Sequence, residues 1–160
     1  LQLGLKPVFV DVELATYVPS VASLMAAVDA DQDKVIKVIM LPNLIGNMPD
    51  WPALRTALTA AGRSEIVLIE DSADTIPQYD DMATGCTSDI STTSFYASHI
   101  ITACGSGGMV MFNSERYLKR ATMYRDWGRI GDNAEKVEER FTEVVDGIPY
   151  DTKFLYGVLG

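Results

Sequence analysis

An α/β fold with a mostly parallel sheet flanked by helices is predicted by three features of this 160-residue chain. Short β-rich runs alternate with amphipathic helical runs at the spacing of strand–helix–strand units. One run, Ile66-Val67-Leu68-Ile69, is apolar throughout, the pattern of a strand covered on both faces. Apolar residues make up 48% of the chain and charged residues 22%, which supplies one real core at a length too short for two ordinary domains.

Each element has a local reason. Val8-Phe9-Val10-Asp11-Val12 reads as a first strand. Ser20 is a helix N-cap, followed by Val21, Leu24, Met25 and Val28 at i, i+3, i+4 and i+7. Val35–Leu41 forms the next strand, stopped by Pro42, and a loop Asn43–Asn47 follows. Asp50 caps a second helix with Pro52 in its first turn and Ala53, Leu54, Ala57, Leu58 and Ala61 as its apolar stripe. Gly62 then takes the left-handed position after the helix. The apolar run Ile66–Ile69 ends in Glu70-Asp71, and Ser91–Tyr96 is a further strand. Gly108–Phe112 follows after about eleven residues without helical pattern, so it is expected to run antiparallel. A helix from about Ser114 to Trp127 should bury Tyr117, Leu118, Ala121 and Tyr124 and end at Gly128. The chain then turns polar and closes on an apolar stretch, Tyr156–Gly160.

Composition excludes several function classes. A net charge of −9 argues against a nucleic-acid-binding face, which must be basic. The stretch Ile90–Ser114, free of Asp, Glu, Lys and Arg, is too rich in Ser, Thr and Gly to span a membrane. Cys86 and Cys104 are the two cysteines and His99 the single histidine, so neither a disulfide framework nor a zinc site is indicated. A cytoplasmic protein is expected. The opening at Leu1, with no initiator Met or charged leader, reads as a piece of a longer chain.

Ligands of an open parallel sheet sit beyond the carboxyl ends of its strands. Three segments fall there: Asn43–Asn47, Asp71-Ser72-Ala73-Asp74, and Ser94 through Gly108. Asp71, after four apolar strand residues, either caps the following turn or holds a cationic ligand group. His99 is either a hydrogen-bonded structural residue or a general base. Gly105-Ser106-Gly107-Gly108 lacks both the P-loop and the dinucleotide spacing and reads as a turn. Arg125 and Arg129 flank a helix C-terminus, where guanidinium groups face the dipole favourably.

Taken together, these segments resemble the large domain of fold type I pyridoxal-phosphate enzymes, within the DegT/StrS family of nucleotide-sugar aminotransferases. Ile69-Glu70-Asp71-Ser72-Ala73-Asp74 is similar to that family's strand-end Ile-Glu-Asp-x-x-Gln. Ser94-Phe95-Tyr96-Ala97-Ser98-His99-Ile100-Ile101-Thr102, with Gly105-Ser106-Gly107-Gly108 after it, is similar to Ser-Phe-x-x-x-Lys-x-Ile-Thr and Gly-Glu-Gly-Gly. His99 stands where the family has its Schiff-base lysine. That replacement marks the nucleotide-sugar 3-dehydrases, which remove a sugar hydroxyl in place of transferring an amine. Gly46-Asn47, Tyr124–Arg129 and Pro149–Phe154 resemble the same subgroup, so the likeness runs from about Val8 to Gly160.

The resemblance implies roles. Asp71 would pair with the protonated pyridine nitrogen of pyridoxal phosphate, and Ser94 would hydrogen-bond the cofactor phosphate. Asp74 would lie near the ring hydroxyl, and Ala73 would pack under the ring. Without a lysine the working form would be pyridoxamine phosphate, with His99 as the base at its methylene carbon; an imidazole accepts a proton near neutral pH where an ammonium does not. The substrate implied is a nucleotide-linked keto-deoxysugar, and the organisation implied is a homodimer. One branch of these dehydrases carries an iron–sulfur cluster just after the Arg-Asp-Trp-Gly-Arg segment. No Cys follows Ile130, which fits the cluster-free branch that takes its amine from glutamate. Two departures are local: Ser106 replaces the family's Glu, and one extra residue lies between His99 and the glycines. Residues 1–160 would form a single partial large domain, with the family's N-terminal phosphate-loop segment and C-terminal small domain outside it. Two other readings stay open, an aminotransferase with a displaced lysine (Lys119 or Lys153) and a non-catalytic binding module.

Overall fold

The computed structural model describes residues 3–76, 78–79, 82–130 and 140–157. Two compact units divide the chain, residues 1–113 and 114–160.

The first unit carries the sheet. Helix α1 (Val21–Ala30) starts as expected at Ser20, whose hydroxyl accepts the Ser23 N–H at 3.3 Å. Strand β1 (Val38–Pro42) leads into helix α2 (Trp51–Ala60), capped by Asp50 through the Ala53 N–H at 3.0 Å. Gly62 has φ +66°, the left-handed exit its position requires. Strand β2 (Val67–Asp71) follows, and then a two-residue ladder of β3 (Gln78–Tyr79) and β4 (Met82–Ala83). Strands β5 (Ile90–Ser94) and β6 (Gly108–Phe112) complete a four-stranded sheet ordered β1-β2-β5-β6. β1, β2 and β5 run parallel, and β6 is antiparallel to β5 with Ile90 opposite Phe112 and Ser94 opposite Gly108.

The core lies between one sheet face and the two helices. Leu24 and Val28 of α1 meet Trp51, Leu54 and Leu58 of α2 over Ile39, Leu41 and Leu68 of the strands. Leu54, Leu58 and Leu68 are fully buried, so truncating one to Ala would cost about 2–5 kcal/mol. The opposite face is less covered. Val38 and Met40 are exposed and Ile69 is half-buried, so β2 is sealed on one face only, where burial on both was expected.

Val8–Val12 departs from expectation more fully. It forms no strand: Val8 and Phe9 are exposed, and only Val10 packs against the core. β-propensity needs a neighbouring strand to act on, and among the described residues none pairs with this segment.

The second unit holds helix α3 (Glu115–Arg125), the hairpin of β7 (Glu143–Val145) and β8 (Ile148–Tyr150), and a 3₁₀ turn at Thr152–Phe154. No residue of α3 is buried; Leu118 and Tyr124, expected inside, are half exposed. Among the described residues of this unit, two three-residue strands and one 3₁₀ turn offer too little surface to cover a three-turn helix. The apolar ending at 158–160 lies outside the described residues. Among the described residues, no helix is long and apolar enough to cross a membrane.

Candidate active site

Asp71 is the last residue of β2, at the carboxyl end of the sheet. Strand alternation turns Glu70 toward the helices and Asp71 to the other face. Parallel pairing brings Thr92 of β5 alongside, and its hydroxyl reaches Asp71 Oδ1 at 3.4 Å. The same oxygen accepts the Ala73 N–H at 3.1 Å, so the carboxylate does cap its own turn. Among the described residues no donor reaches Oδ2. The Asp71 carbonyl accepts the Asn43 N–H at 2.8 Å, which ties the end of β1 to the end of β2.

The segment after β5 continues as a hairpin beyond the named strands. Phe95 N–H donates to the Gly107 carbonyl at 2.9 Å and Ala97 N–H to Gly105 at 3.1 Å. The extra residue fits because Cys104 and Gly105 both take left-handed φ, +54° and +110°. Gly107 is required by contact as well as by its φ of +153°, since a Cβ there would meet the Ala103 methyl at 3.0 Å. The glycine run is therefore a tight turn, as its spacing suggests.

His99 sits on this hairpin, where its N–H donates to the Tyr96 carbonyl at 3.0 Å. Its Nε2 lies 3.4 Å from Asp74 Oδ1, and the Tyr96 ring meets the imidazole edge-on at 6.0 Å. Nδ1 is buried and has no partner among the described residues. Ser94, at the end of β5, accepts the Tyr96 N–H through its hydroxyl at 3.3 Å.

Asp71, Ala73 and Asp74 thus share one turn, Ser94 ends the neighbouring strand, and His99 is joined to that turn through Asp74. Asp74, expected beside a ring hydroxyl, is paired here with the imidazole. A cationic pyridine ring would find in this set a half-buried carboxylate oxygen without a donor and an imidazole nitrogen without a partner, so the residues present fit it. Arg125 and Arg129 belong to the second unit, where Arg125 pairs with Asp126 at 2.8 Å and Arg129 lies 5.2 Å over the Trp127 ring.

Sequence reasoning missed what lies beneath the turn. Glu70 is 1% exposed and meets no cation among the described residues. Its Oε1 accepts from Asn43 Nδ2 at 2.6 Å and Ser72 Oγ at 3.2 Å; its Oε2 accepts from the Gly85 N–H at 2.8 Å and Ser88 Oγ at 3.0 Å. The signal available was the alternation of β2, which sends position 70 inward whatever its charge.

Comparison with known proteins places this geometry. A profile of the DegT/DnrJ/EryC1/StrS aminotransferase family matches residues 1–150. The lipopolysaccharide biosynthesis protein RfbH of Salmonella typhimurium is 35% identical over 100% of this chain and 36% of its own length. The dTDP-4-dehydro-2,6-dideoxy-D-glucose 3-dehydratase of Saccharopolyspora spinosa is 39% identical over 80% of this chain and 26% of its own. Among solved structures, the aminotransferase from Psychrobacter cryohalolentis superposes with a TM-score of 0.73 at 26% identity, covering 99% of this chain and 37% of that one. The chain therefore spans about a third of the length of the proteins it matches. With a profile match over nearly its whole extent and the strand-end Asp71 and the hairpin after β5 where the motifs predict them, the chain belongs to the DegT/DnrJ/EryC1/StrS aminotransferase family.

Proposed function

We propose that the full-length protein carrying this chain is a nucleotide-sugar 3-dehydrase dependent on pyridoxal or pyridoxamine phosphate. It would remove the 3-hydroxyl of a 4-keto-6-deoxy sugar in deoxysugar or O-antigen biosynthesis. What supports this reading is His99 where the resemblance puts the family's Schiff-base lysine, with Nε2 3.4 Å from Asp74 and Nδ1 without a partner among the described residues. When bound, the cofactor supplies an electron sink for the pair left by deprotonation of its methylene carbon.

This chain's residues would do the rest. Asp71, through Oδ2, holds the ring N–H and keeps it protonated. Ser94 donates its hydroxyl to the phosphate, and Ala73 leaves room for the ring. Asp74 faces Nε2 at 3.4 Å and orients the imidazole that would take the proton. Glutamate as amino donor, a homodimer and a cytoplasmic location complete the proposal.

Amine transfer is the second reading, favoured by the aminotransferase that superposes on 99% of the chain. Among the nearest downstream lysines, Lys119 is an exposed partner of Glu115 at 2.7 Å. Borohydride reduction of the full-length protein with pyridoxal phosphate, followed by intact mass, separates the two. Tight cofactor binding without a covalent adduct is expected. A stoichiometric adduct on one lysine would overturn the dehydrase reading in favour of amine transfer.

A further inference from the structure

We infer that Glu70 is a positioning residue for the cofactor side of the turn, an inference that rests on the function proposed above. A buried carboxylate without a cation is costly, and the four donors on Glu70 offset that cost. Two of those donors, Asn43 and Ser72, do more than solvate it, because they flank or hold the Asp71 backbone. Asn43 gives its backbone N–H to the Asp71 carbonyl at 2.8 Å, and Asn43's own carbonyl accepts the Thr75 hydroxyl at 2.6 Å. Ser72 lies between Asp71 and Ala73, and its N–H donates to the Thr92 carbonyl at 2.9 Å.

The orientation of Asn43 is forced. Trp51 Nε1–H can only donate, and it reaches Asn43 Oδ1 at 3.1 Å, so Nδ2 must face Glu70. Ser88 and Gly85 bring in the chain that leads to β5. Glu70 therefore gathers the ends of β1 and β2 and the approach to β5 onto one carboxylate, on the face opposite the ligand. Asp71 points where it does because the backbone on both sides of it is fixed from behind.

Glu70→Gln tests this with little change of shape. The amide NH₂ must face either the Asn43–Ser72 pair or the Gly85–Ser88 pair. Hydroxyls can rotate to accept it, but Asn43 Nδ2 and the Gly85 N–H cannot. On the full-length protein, the readouts are thermal melting, affinity for pyridoxal phosphate, and the visible circular dichroism that a fixed ring orientation induces in the bound cofactor. The expected result is a folded variant with a weaker induced signal and an affinity lower by about tenfold. A folded variant with parental signal and affinity would overturn the inference, since a merely structural carboxylate would change melting alone.

Should Glu70→Gln not fold, Ser72→Ala decides, because it removes one donor and keeps the carboxylate with three. A reduced signal at parental melting temperature supports the inference, and an unchanged signal overturns it. Elimination by the parent is scored separately. A parent that binds cofactor and eliminates nothing sinks the dehydrase reading while the dichroism still judges Glu70; a parent that binds no cofactor overturns both.

Discussion

The two ends of the sheet in the first unit treat their charges in opposite ways. At the amino ends of β1 and β2, Arg63 is 3% exposed and pairs with the nearly covered side chain of Asp31 and the more exposed Glu65. Its Nε donates to Glu65 at 2.8 Å, and one terminal nitrogen donates to Asp31 at 3.1 Å and the Ile36 carbonyl at 3.0 Å. Asp31 in turn accepts the Val35 and Ile36 N–H groups at 2.9 and 2.8 Å. At the carboxyl ends, among the described residues, Asp71 keeps an oxygen without a donor, and His99 keeps a buried nitrogen without a partner. A closed set of charges is a joint. An open one at the carboxyl ends of a parallel sheet is where the proposed cofactor would bind.

That contrast breaks most sharply at His99. His99→Asn in the full-length protein should leave melting and cofactor affinity near parental and lower elimination by about 10²–10⁴-fold, the span of general-base catalysis. Product analysis on the nucleotide sugar is the measurement, and activity within a few-fold of the parent would remove His99 from the reaction. Asp71→Asn comes next, with elimination down about 10- to 100-fold from loss of a charge-assisted hydrogen bond. Parental rates in that variant would mean that the carboxylate only caps its turn.

At the other end the expectation reverses. Arg63→Met should lower the melting temperature by about 5 °C or more, because Asp31 keeps a charge that nothing then neutralises. The folded fraction should retain its elimination rate per bound cofactor. A variant that melts like the parent but loses activity would erase the distinction between the two ends.

What the sequence made legible follows the range of the interactions. The caps at Ser20 and Asp50 are three residues from the N–H groups they serve, so α1 and α2 start where they were expected. The antiparallel turn of β6 was readable from a short, helix-free connection. The positions of two candidate residues were readable because Asp71 ends its own strand and His99 lies just past β5. Glu70 was not, since two of its donors, Asn43 and Ser88, lie 27 and 18 residues away and no local pattern announces them. Val8–Val12 and the expected burial of the α3 stripe failed for the converse reason. Their local patterns are sound, but a strand needs a partner and an apolar stripe needs a surface, and both are supplied from elsewhere or not at all.

The smallest expected effect is a dependence on pH at the closed end. Burial pushes the Asp31 carboxyl up, but the Ile36 and Val35 N–H groups and the Arg63 guanidinium outweigh it and leave it below its ordinary 3.8. The hydrogen bond from Arg63 likewise holds Glu65 below its ordinary 4.5. A carboxyl depressed in the folded state adds stability that is fully present above its unfolded value and is lost as pH falls through the folded one. Arg63 is raised, chiefly by its bond to Glu65, so its share is fully present across the neutral range and is lost only at strongly alkaline pH. The joint should therefore hold unchanged across neutral pH and loosen below about pH 4. Asp31→Asn should lower the melting temperature at pH 7 and flatten its fall between pH 4 and the acid limit. An acid limb as steep as the parent's would mean that other carboxylates govern acid unfolding, and that the closed end owes its stability to shape more than to charge.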